Sequence, residues 1–378
     1  MLRLSVIFTL LFLNISLLAQ QKGPVKFKKV PIASESFESV GVFDVNKDGK
    51  LDLISGAFWY EGPDFWKRHL INQFTRYDGY YDDFSTVPFD VNGDGHMDFV
   101  TGGWFEKTLR WYENSGDPKK FWTPHDIAKT TNIETTYGWD IDGDGIDEIV
   151  PNTPENPLLV FKYDAATKSF TKYVIHDYQD HGIGIGDING DGRKDLIVSK
   201  GWLEQPVNPW KDKWIMHSNE FDLKTASVPI VAADVNGDGL TDIISGVAHG
   251  YGLDWYEQKF DKKTKKRSWV KHIIDAHNSM YHCIMWVDID GDGQSELVTG
   301  KRYRAHDGND PGEKDDIGLY YFKWNGETFS KNVVAYGPYG VGKGAGLYFS
   351  VADLRGTGRK DIIVAGKDGL CVFYNEGN

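Results

Sequence analysis

The 378-residue sequence predicts an all-β fold, a seven-bladed β-propeller of four-stranded blades. Three observations lead to this prediction. An acidic, glycine-containing phrase recurs seven times at a mean spacing of about 51 residues. β-Branched and aromatic runs, rather than helical patterns, flank every copy. The last copy leaves room for only three strands, and a segment near the N terminus resembles the missing fourth.

The repeated phrase begins at seven equivalent aspartates. Its period matches the length of one supersecondary unit in propellers and solenoids. The copies read DVNKDGKLDLIS from Asp44, DVNGDGHMDFVT from Asp90, DIDGDGIDEIVP from Asp140, DINGDGRKDLIV from Asp187, DVNGDGLTDIIS from Asp234, DIDGDGQSELVT from Asp288 and DLRGTGRKDIIV from Asp353.

Each repeat unit contains four predicted strands. Strand A leads into the acidic loop and strand B leaves it. Strand C carries an aromatic and acidic phrase such as WYEG from Trp59, and strand D a phrase such as WKRHLI. The final unit ends after strand C, whereas residues 25–31, VKFKKVP, resemble strand D. We therefore expect the N-terminal strand to complete the last blade and close the ring, which removes exposed sheet edges.

The first twenty residues contain one arginine followed by an apolar run that ends in small and polar residues. This pattern predicts a cleaved secretory signal peptide, because the run is shorter than the roughly 20 residues of a membrane span. We expect residues 21–378 to form one propeller domain that is periplasmic or secreted, without a transmembrane segment after signal removal.

The composition disfavours a nucleic-acid partner. The chain has 55 acidic and 42 basic residues, a formal net charge of -13, and such a surface repels phosphate backbones. We expect a monomer. The two cysteines, Cys283 and Cys371, do not define a disulfide framework, so a bonded pair and two free thiols are both compatible with the sequence.

Six of the acidic loops predict calcium sites. Positions 1, 3, 5 and 9 carry oxygen-bearing side chains around a glycine at position 6, which suits Ca²⁺. The loops lack the position-12 glutamate and following helix of an EF-hand. A turn alone would not need so many mutually repelling carboxylates. The predicted ligands are Asp44, Asn46, Asp48, Asp52, Asp90, Asn92, Asp94, Asp98, Asp140, Asp142, Asp144, Glu148, Asp187, Asn189, Asp191, Asp195, Asp234, Asn236, Asp238, Asp242, Asp288, Asp290, Asp292 and Glu296.

The seventh loop is different. Arg355 and Thr357 replace the third and fifth ligands, and an arginine there can neutralise Asp353 and Asp361 internally. We therefore expect no calcium in blade seven.

The repeated DxDGDG-type phrase resembles the FG-GAP family, also called VCBS, over about residues 25–378. This resemblance implies a β-propeller with calcium loops, as in the integrin α-subunit head. The family includes adhesion heads, carbohydrate-active lyases and lectin-like modules. The WYEx and WxxHxI phrases are also similar to those in the propeller of aldos-2-ulose dehydratase, a sugar-modifying enzyme, and imply a carbohydrate partner.

The face opposite the acidic loops carries the candidate chemistry. The residues six positions before each loop begin the innermost strands and should ring the channel mouth; they are Glu38, Phe84, Glu134, His181, Val228, His282 and Leu347. Polar residues are unusual at such positions. A long insertion at residues 301–316 adds Lys301, Arg302 and His306, while His249 and Trp104 come from blades five and two.

These residues predict a sugar lyase or dehydratase. His282 or His181 would remove a proton next to a carbonyl or carboxylate, Tyr281 would protonate the departing oxygen, and Arg302 or a bound metal would stabilise the enolate. Alternatively, the histidines and Glu134 would hold Zn²⁺ as a Lewis acid. The competing hypothesis is a noncatalytic carbohydrate- or protein-binding propeller. The predicted substrate-binding residues are Glu134, Glu38, His249, Lys301, Trp104 and His306.

Overall fold

A computed structural model describes residues 23–306 and 308–378. The predicted signal peptide lies outside the described residues. Within these ranges the regular secondary structure consists of β-strands, and no helix long and apolar enough to cross a membrane is found. The described chain forms seven four-stranded antiparallel sheets, which confirms the predicted propeller.

The blades follow one another along the chain, and a small hairpin connects the first two. Blade one contains β2 (Gly41–Phe43), β3 (Asp52–Ser55), β4 (Phe58–Tyr60) and β5 (Arg68–Leu70). The connecting hairpin is β6 (Arg76–Tyr77) and β7 (Tyr80–Tyr81). Blade two contains β8 (Val87–Phe89), β9 (Asp98–Gly102), β10 (Thr108–Glu113) and β11 (Thr123–Lys129). Blade three contains β12 (Thr135–Trp139), β13 (Glu148–Asn152), β14 (Asn156–Asp164) and β15 (Ser169–Gln179).

The remaining blades repeat this order, except that the last one takes its outer strand from the N terminus. Blade four contains β16 (Ile183–Gly186), β17 (Asp195–Val198), β18 (Gly201–Glu204) and β19 (Ile215–Ser218). Blade five contains β20 (Val231–Ala233), β21 (Asp242–Gly246), β22 (Tyr251–Asp261) and β23 (Lys266–Ser279). Blade six contains β24 (Tyr281–Val287), β25 (Glu296–Lys301), β26 (Ile317–Trp324) and β27 (Phe329–Gly337). Blade seven contains β28 (Ser350–Ala352), β29 (Asp361–Val364), β30 (Leu370–Asn375) and β1 (Phe27–Ala33).

The ring closes between the two ends of the chain. Strand β1 pairs antiparallel with β30, and the register places Phe27 opposite Asn375 and Val30 opposite Val372. The N-terminal strand therefore covers an edge that blade seven would otherwise expose. This arrangement confirms the closure predicted from the sequence.

Apolar side chains between adjacent blades form the core. Ile54 and Trp59 of blade one pack in the same cluster as Phe99, Tyr112 and Trp122 of blade two. Both faces of the second strand of each blade are buried, as in β3, where all four residues are buried. This explains why these strands are continuous apolar runs without an alternating polar face.

The ninth residue of each acidic loop is a buried acid that holds the loop in place through hydrogen bonds. In blade two, Asp98 accepts hydrogen bonds from the backbone amides of Val91 at 3.0 Å and Asn114 at 2.7 Å, which ties the loop to the third strand. In all seven blades the carboxylate at this position accepts a hydrogen bond from the backbone amide of the second loop residue. The position predicted as a metal ligand thus has a structural role that needs no ion.

Candidate functional site

Polar residues from three blades meet at the channel mouth. Oε1 of Glu134, at the start of blade three, lies 2.7 Å from Nε2 of His282 and accepts a hydrogen bond from Arg302 at 3.1 Å. Arg302 also donates to Glu38 of blade one at 2.9 Å. Glu38, Glu134 and His282, predicted from separate repeats, are therefore neighbours, because the first strand of each blade begins beside the same axis, and Arg302 joins them from the insertion of blade six.

Two further histidines extend this cluster toward the surface. Nε2 of His181 lies 3.6 Å from Glu134 and 3.2 Å from Nε2 of His249. The imidazole of His306 stacks on that of His249 at 4.5 Å between ring centroids and is 53% exposed. Asp310 contacts Nδ1 of both His249 and His306, each at 3.1 Å. Asp310 was not among the predicted site residues, although it lies in the long insertion.

Burial and neighbouring charges determine the protonation states in the cluster. Burial lowers the pKa of His249 to about 4 and the pKa of His282 well below its usual value, so both imidazoles are neutral near pH 7. Burial opposes the charge of Arg302, but the carboxylates of Glu38 and Glu134 outweigh it and raise its pKa. Burial likewise opposes the charge of Glu134, yet its contacts with His181 and His282 hold its pKa well below the usual range. The mouth therefore combines neutral imidazoles with a charged guanidinium and carboxylates.

Tyr281 does not join this cluster. Its side chain is buried on the other face of β24, packs in one cluster with Tyr320, and donates its hydroxyl to Asp275 at 2.8 Å. These contacts hold the Tyr281 hydroxyl apart from the carboxylate of Glu134, which His282 contacts. The predicted position of Tyr281 as an acid at the mouth is wrong.

Lys301 and Trp104 also lie apart from the imidazoles. The ammonium of Lys301 is buried and donates to the backbone oxygens of Gly312 and, at 2.9 Å, Asp315. Lys301 thus anchors the insertion, and the predicted substrate contact is replaced by this structural one. Trp104 lies on the rim of blade two, where its carbonyl accepts a hydrogen bond from Asn132 at 2.9 Å.

A groove with aromatic and cationic walls borders the cluster. It has a volume of about 320 Å³ and is lined by Ser36, Arg76, Gly79, Tyr303, Arg304, Tyr339 and Lys367. The rings of Tyr303 and Tyr339 stack at 5.5 Å, and Tyr339 is 65% exposed. Nζ of Lys367 lies 4.0 Å from the carboxylate of Glu38, which connects the groove to the cluster. No sequence pattern indicates this groove, because its walls come from five separate segments.

Lysines neutralise two of the loops that were predicted to bind calcium. Nζ of Lys162 lies 2.7 Å from Asp142, 2.7 Å from Asp144 and 3.0 Å from Glu148 in blade three. Lys323 makes the same three contacts with Asp290, Asp292 and Glu296 in blade six. These donor sets do not fit Ca²⁺ as they stand, since an ammonium group already lies among the carboxylates. In blade seven Arg355 likewise contacts the carboxylate of Asp361.

The other four loops have the opposite charge pattern. Their third residue is asparagine, and the strand-C position of Lys162 and Lys323 carries Glu61, Glu113, Glu204 or Glu257. Glu113 accepts a hydrogen bond from Asn92 at 3.1 Å, and its second oxygen lies 2.7 Å from His125. Oxygen donors without a resident lysine fit Ca²⁺. The strand-D histidines of these four blades contact these glutamates, as in the His125 pair, and so have a structural role.

A family model described as FG-GAP-like repeat matches residues 90–151 and 234–299. These two segments are similar to FG-GAP-like repeats. The matched segments lie in blades two and three and in blades five and six, and each spans the interval from one acidic loop to the next. No curated protein matches this chain.

Solved structures show the same fold at low sequence identity. The exotype rhamnogalacturonan lyase YesX is 12% identical, with a TM-score of 0.53 over 95% of this chain and 75% of the other. A chain from the structure of BBS1N in complex with ARL6DN is 11% identical, with a TM-score of 0.55 over 93% and 96%. Sqt1 of Saccharomyces cerevisiae is 12% identical, with a TM-score of 0.50 over 94% and 100%. At these identities the likeness establishes the propeller fold and nothing finer.

Proposed function

We propose that this FG-GAP-repeat propeller is a secreted or periplasmic enzyme that binds an acidic carbohydrate and cleaves it by β-elimination at the channel mouth. The observation that carries the proposal is the groove of stacked tyrosines and cations that borders the imidazole cluster. Exposed tyrosine rings provide a flat apolar surface for a sugar ring. Arg76 provides a charge that attracts a sugar carboxylate.

The residues around the groove suit elimination. In this reaction a base removes the proton next to the sugar carboxylate, the C–H electrons form a double bond, and the C–O bond at the next carbon breaks. The departing oxygen then takes up a proton. His306 is the exposed imidazole of the cluster, and Asp310 contacts its Nδ1 and so orients its Nε2 outward as the base. This assignment replaces the predicted His282, which is fully buried.

Arg302 has a supporting role in this proposal. Its guanidinium is buried and pairs with both Glu38 and Glu134. It therefore fixes the carboxylates of the mouth and makes no direct contact with substrate. The rhamnogalacturonan lyase among the fold neighbours acts on an acidic polysaccharide of the class that the groove chemistry favours.

The test is to incubate the mature protein with uronate-containing polysaccharides and to follow the ultraviolet absorbance of an unsaturated product. We expect His306→Gln to abolish turnover. Tyr339→Ala and Arg76→Ala should mainly raise KM, because they remove binding surface outside the reacting centre. Trp66→Ala, at an aromatic residue that is 89% exposed and lies outside the groove, is the matched control and should behave like the wild type.

A noncatalytic carbohydrate-binding propeller is the second candidate, and the same groove favours it. It predicts that the protein binds the polysaccharide, that Tyr339→Ala weakens this binding, and that no product forms. Binding that is unchanged in both Tyr339→Ala and Arg76→Ala would contradict either function at this groove.

We also propose that Ca²⁺ binds the acidic loops of blades one, two, four and five and stabilises the ring. Their oxygen donors lie next to a strand-C glutamate, and no lysine contacts three of their acids at once as in blades three and six; Lys50 lies 4.0 Å from Asp48, and Arg193 contacts Asp191. The proposed ligands are Asp44, Asn46 and Asp48; Asp90, Asn92 and Asp94; Asp187, Asn189 and Asp191; and Asp234, Asn236 and Asp238.

A further inference from the structure

Two imidazoles at the channel mouth point unprotonated nitrogens at each other. Nδ1 of His181 lies 2.7 Å from the carbonyl oxygen of Ala226, which can only accept, so this nitrogen carries the proton. Nδ1 of His249 lies 3.1 Å from the carboxylate of Asp310, which also accepts. Both Nε2 atoms therefore present lone pairs, and they are 3.2 Å apart. Two lone pairs at this distance repel unless a positive centre lies between them.

A carboxylate and a third imidazole complete the group. Oε1 of Glu134 lies 3.6 Å from Nε2 of His181, and His282 lies beside Glu134. One ligand atom from each of Glu134, His181, His249 and His282 lies within 4.8 Å of all the others. Zn²⁺ bonds of ~2.0–2.1 Å in tetrahedral geometry place ligand atoms about 3.3 Å apart. The separations involving His181 are close to this spacing.

The outer contacts of the imidazoles favour the same interpretation. Histidines that bind a metal usually donate their other ring N–H to a backbone carbonyl or a carboxylate, which fixes the ring and its tautomer. His181 has such a partner in Ala226, and His249 has one in Asp310. The strand-D histidines differ, because His125, for example, directs Nε2 to the carboxylate of Glu113 and faces no second imidazole nitrogen.

We propose that the channel mouth binds one divalent transition-metal ion, with Zn²⁺ as the best chemical match, through His181, His249, His282 and Glu134. Three imidazole nitrogens and one carboxylate suit a borderline ion of this class, whereas Ca²⁺ prefers oxygen donors only. The ion site is chemically distinct from the acidic loops on the opposite face. The role of the ion rests on the proposed function: as a Lewis acid beside the groove, it would neutralise the carboxylate of the substrate.

The experiment measures ion binding without substrate. The full mature protein is stripped with a chelator, supplied with excess Ca²⁺ to occupy the oxygen-only loops, and titrated with Co²⁺, whose visible absorbance reports nitrogen ligands. We expect about one Co²⁺ per chain, displaced by Zn²⁺. His181→Ala and His249→Ala should abolish the absorbance, and His125→Ala, the matched histidine outside the cluster, should retain it.

A variant of Asp310, which orients His249 but is not a proposed ligand, separates a loss of ion binding from a loss of folding. Asp310→Asn leaves the four ligands in place and should weaken ion binding by about 10- to 100-fold. Circular dichroism and thermal melting show whether each variant is folded. The inference is overturned if the wild type gives no nitrogen-ligand absorbance, or if folded His181→Ala and His125→Ala bind Co²⁺ equally well.

The outcomes for the ion and for the enzyme are distinguishable. If Co²⁺ binding depends on His181 but the protein forms no unsaturated product, the ion site is supported and the proposed lyase activity is contradicted. If the protein catalyses the elimination but binds no transition metal, the ion site is contradicted and the proposed function still stands.

Discussion

Oε1 of Glu134 lies 2.7 Å from Nε2 of His282, although 148 positions separate the two residues in the sequence. Arg302 reaches the same oxygen at 3.1 Å and links it to Glu38. The network thus joins the inner edges of blades one, three and six across the channel mouth. Its charged groups are almost completely buried, so each depends on the others.

Removing the central cation should destabilise the protein strongly. Arg302→Ala leaves Glu38 and Glu134 buried without their main partner, which typically costs about 3–5 kcal/mol. Urea unfolding followed by circular dichroism measures this change. Arg68→Ala is the control, because its ion pair with Glu35 is half exposed and should contribute no more than about 1 kcal/mol. Equal effects of the two substitutions would contradict the structural role of Arg302.

Deleting the N-terminal strand should destabilise the whole propeller. Without residues 23–33, β30 loses its antiparallel partner and the ring has an open edge. We expect a large drop in melting temperature and a tendency to aggregate through the exposed strand. A truncated protein that melts at the wild-type temperature would show that closure contributes nothing.

Calcium binding should show fewer sites than the number of acidic loops. We expect about four Ca²⁺ per chain, measured by calorimetry on the chelator-treated protein, because lysines already neutralise two of the loops. Chelation should lower the melting temperature. Six bound ions, or stability that is indifferent to the chelator, would contradict this assignment.

Replacing a resident lysine tests the same assignment within one blade. Lys162→Met removes the cation that contacts Asp142, Asp144 and Glu148. The variant should be less stable than the wild type in chelator and should bind about one more Ca²⁺, which restores part of the stability. An unchanged ion count would show that the loop of blade three cannot bind calcium even without the lysine.

Asp83 should make stability depend on pH. Burial raises the pKa of Asp83 to about 7, compared with about 3.9 in an unfolded chain. Between these values the folded state keeps a proton that the unfolded state has released, so this contribution to stability is lost as the pH rises through about 7. Asp83→Asn retains an acceptor for the hydroxyl of Thr101 and should lose less stability than the wild type between about pH 5 and pH 8. Parallel pH profiles in urea unfolding would contradict this assignment.

Part of the site could be predicted because propeller geometry places equivalent positions around one axis. Glu38, Glu134, His181 and His282 each lie six positions before an acidic loop, which predicted them to be neighbours at the channel mouth. The structure brings them together. The register of β24 shifts between Tyr281 and Ile284, so the place of the Tyr281 side chain could not be predicted from the sequence. The lysines of blades three and six also leave a signal in the sequence: strand C carries Lys where the third loop residue is Asp, and Glu where it is Asn.

The sequence by itself determined the number of blades, their strand order and the closure of the ring. These features follow from local patterns that repeat every blade, and each copy strengthens the others. Only the tertiary structure decided which rim side chains meet. Arg302, Asp310, Tyr339 and Lys367 come from irregular segments without a repeat equivalent. Their contacts depend on how separate loops fold over the channel mouth, and no local periodicity encodes that arrangement.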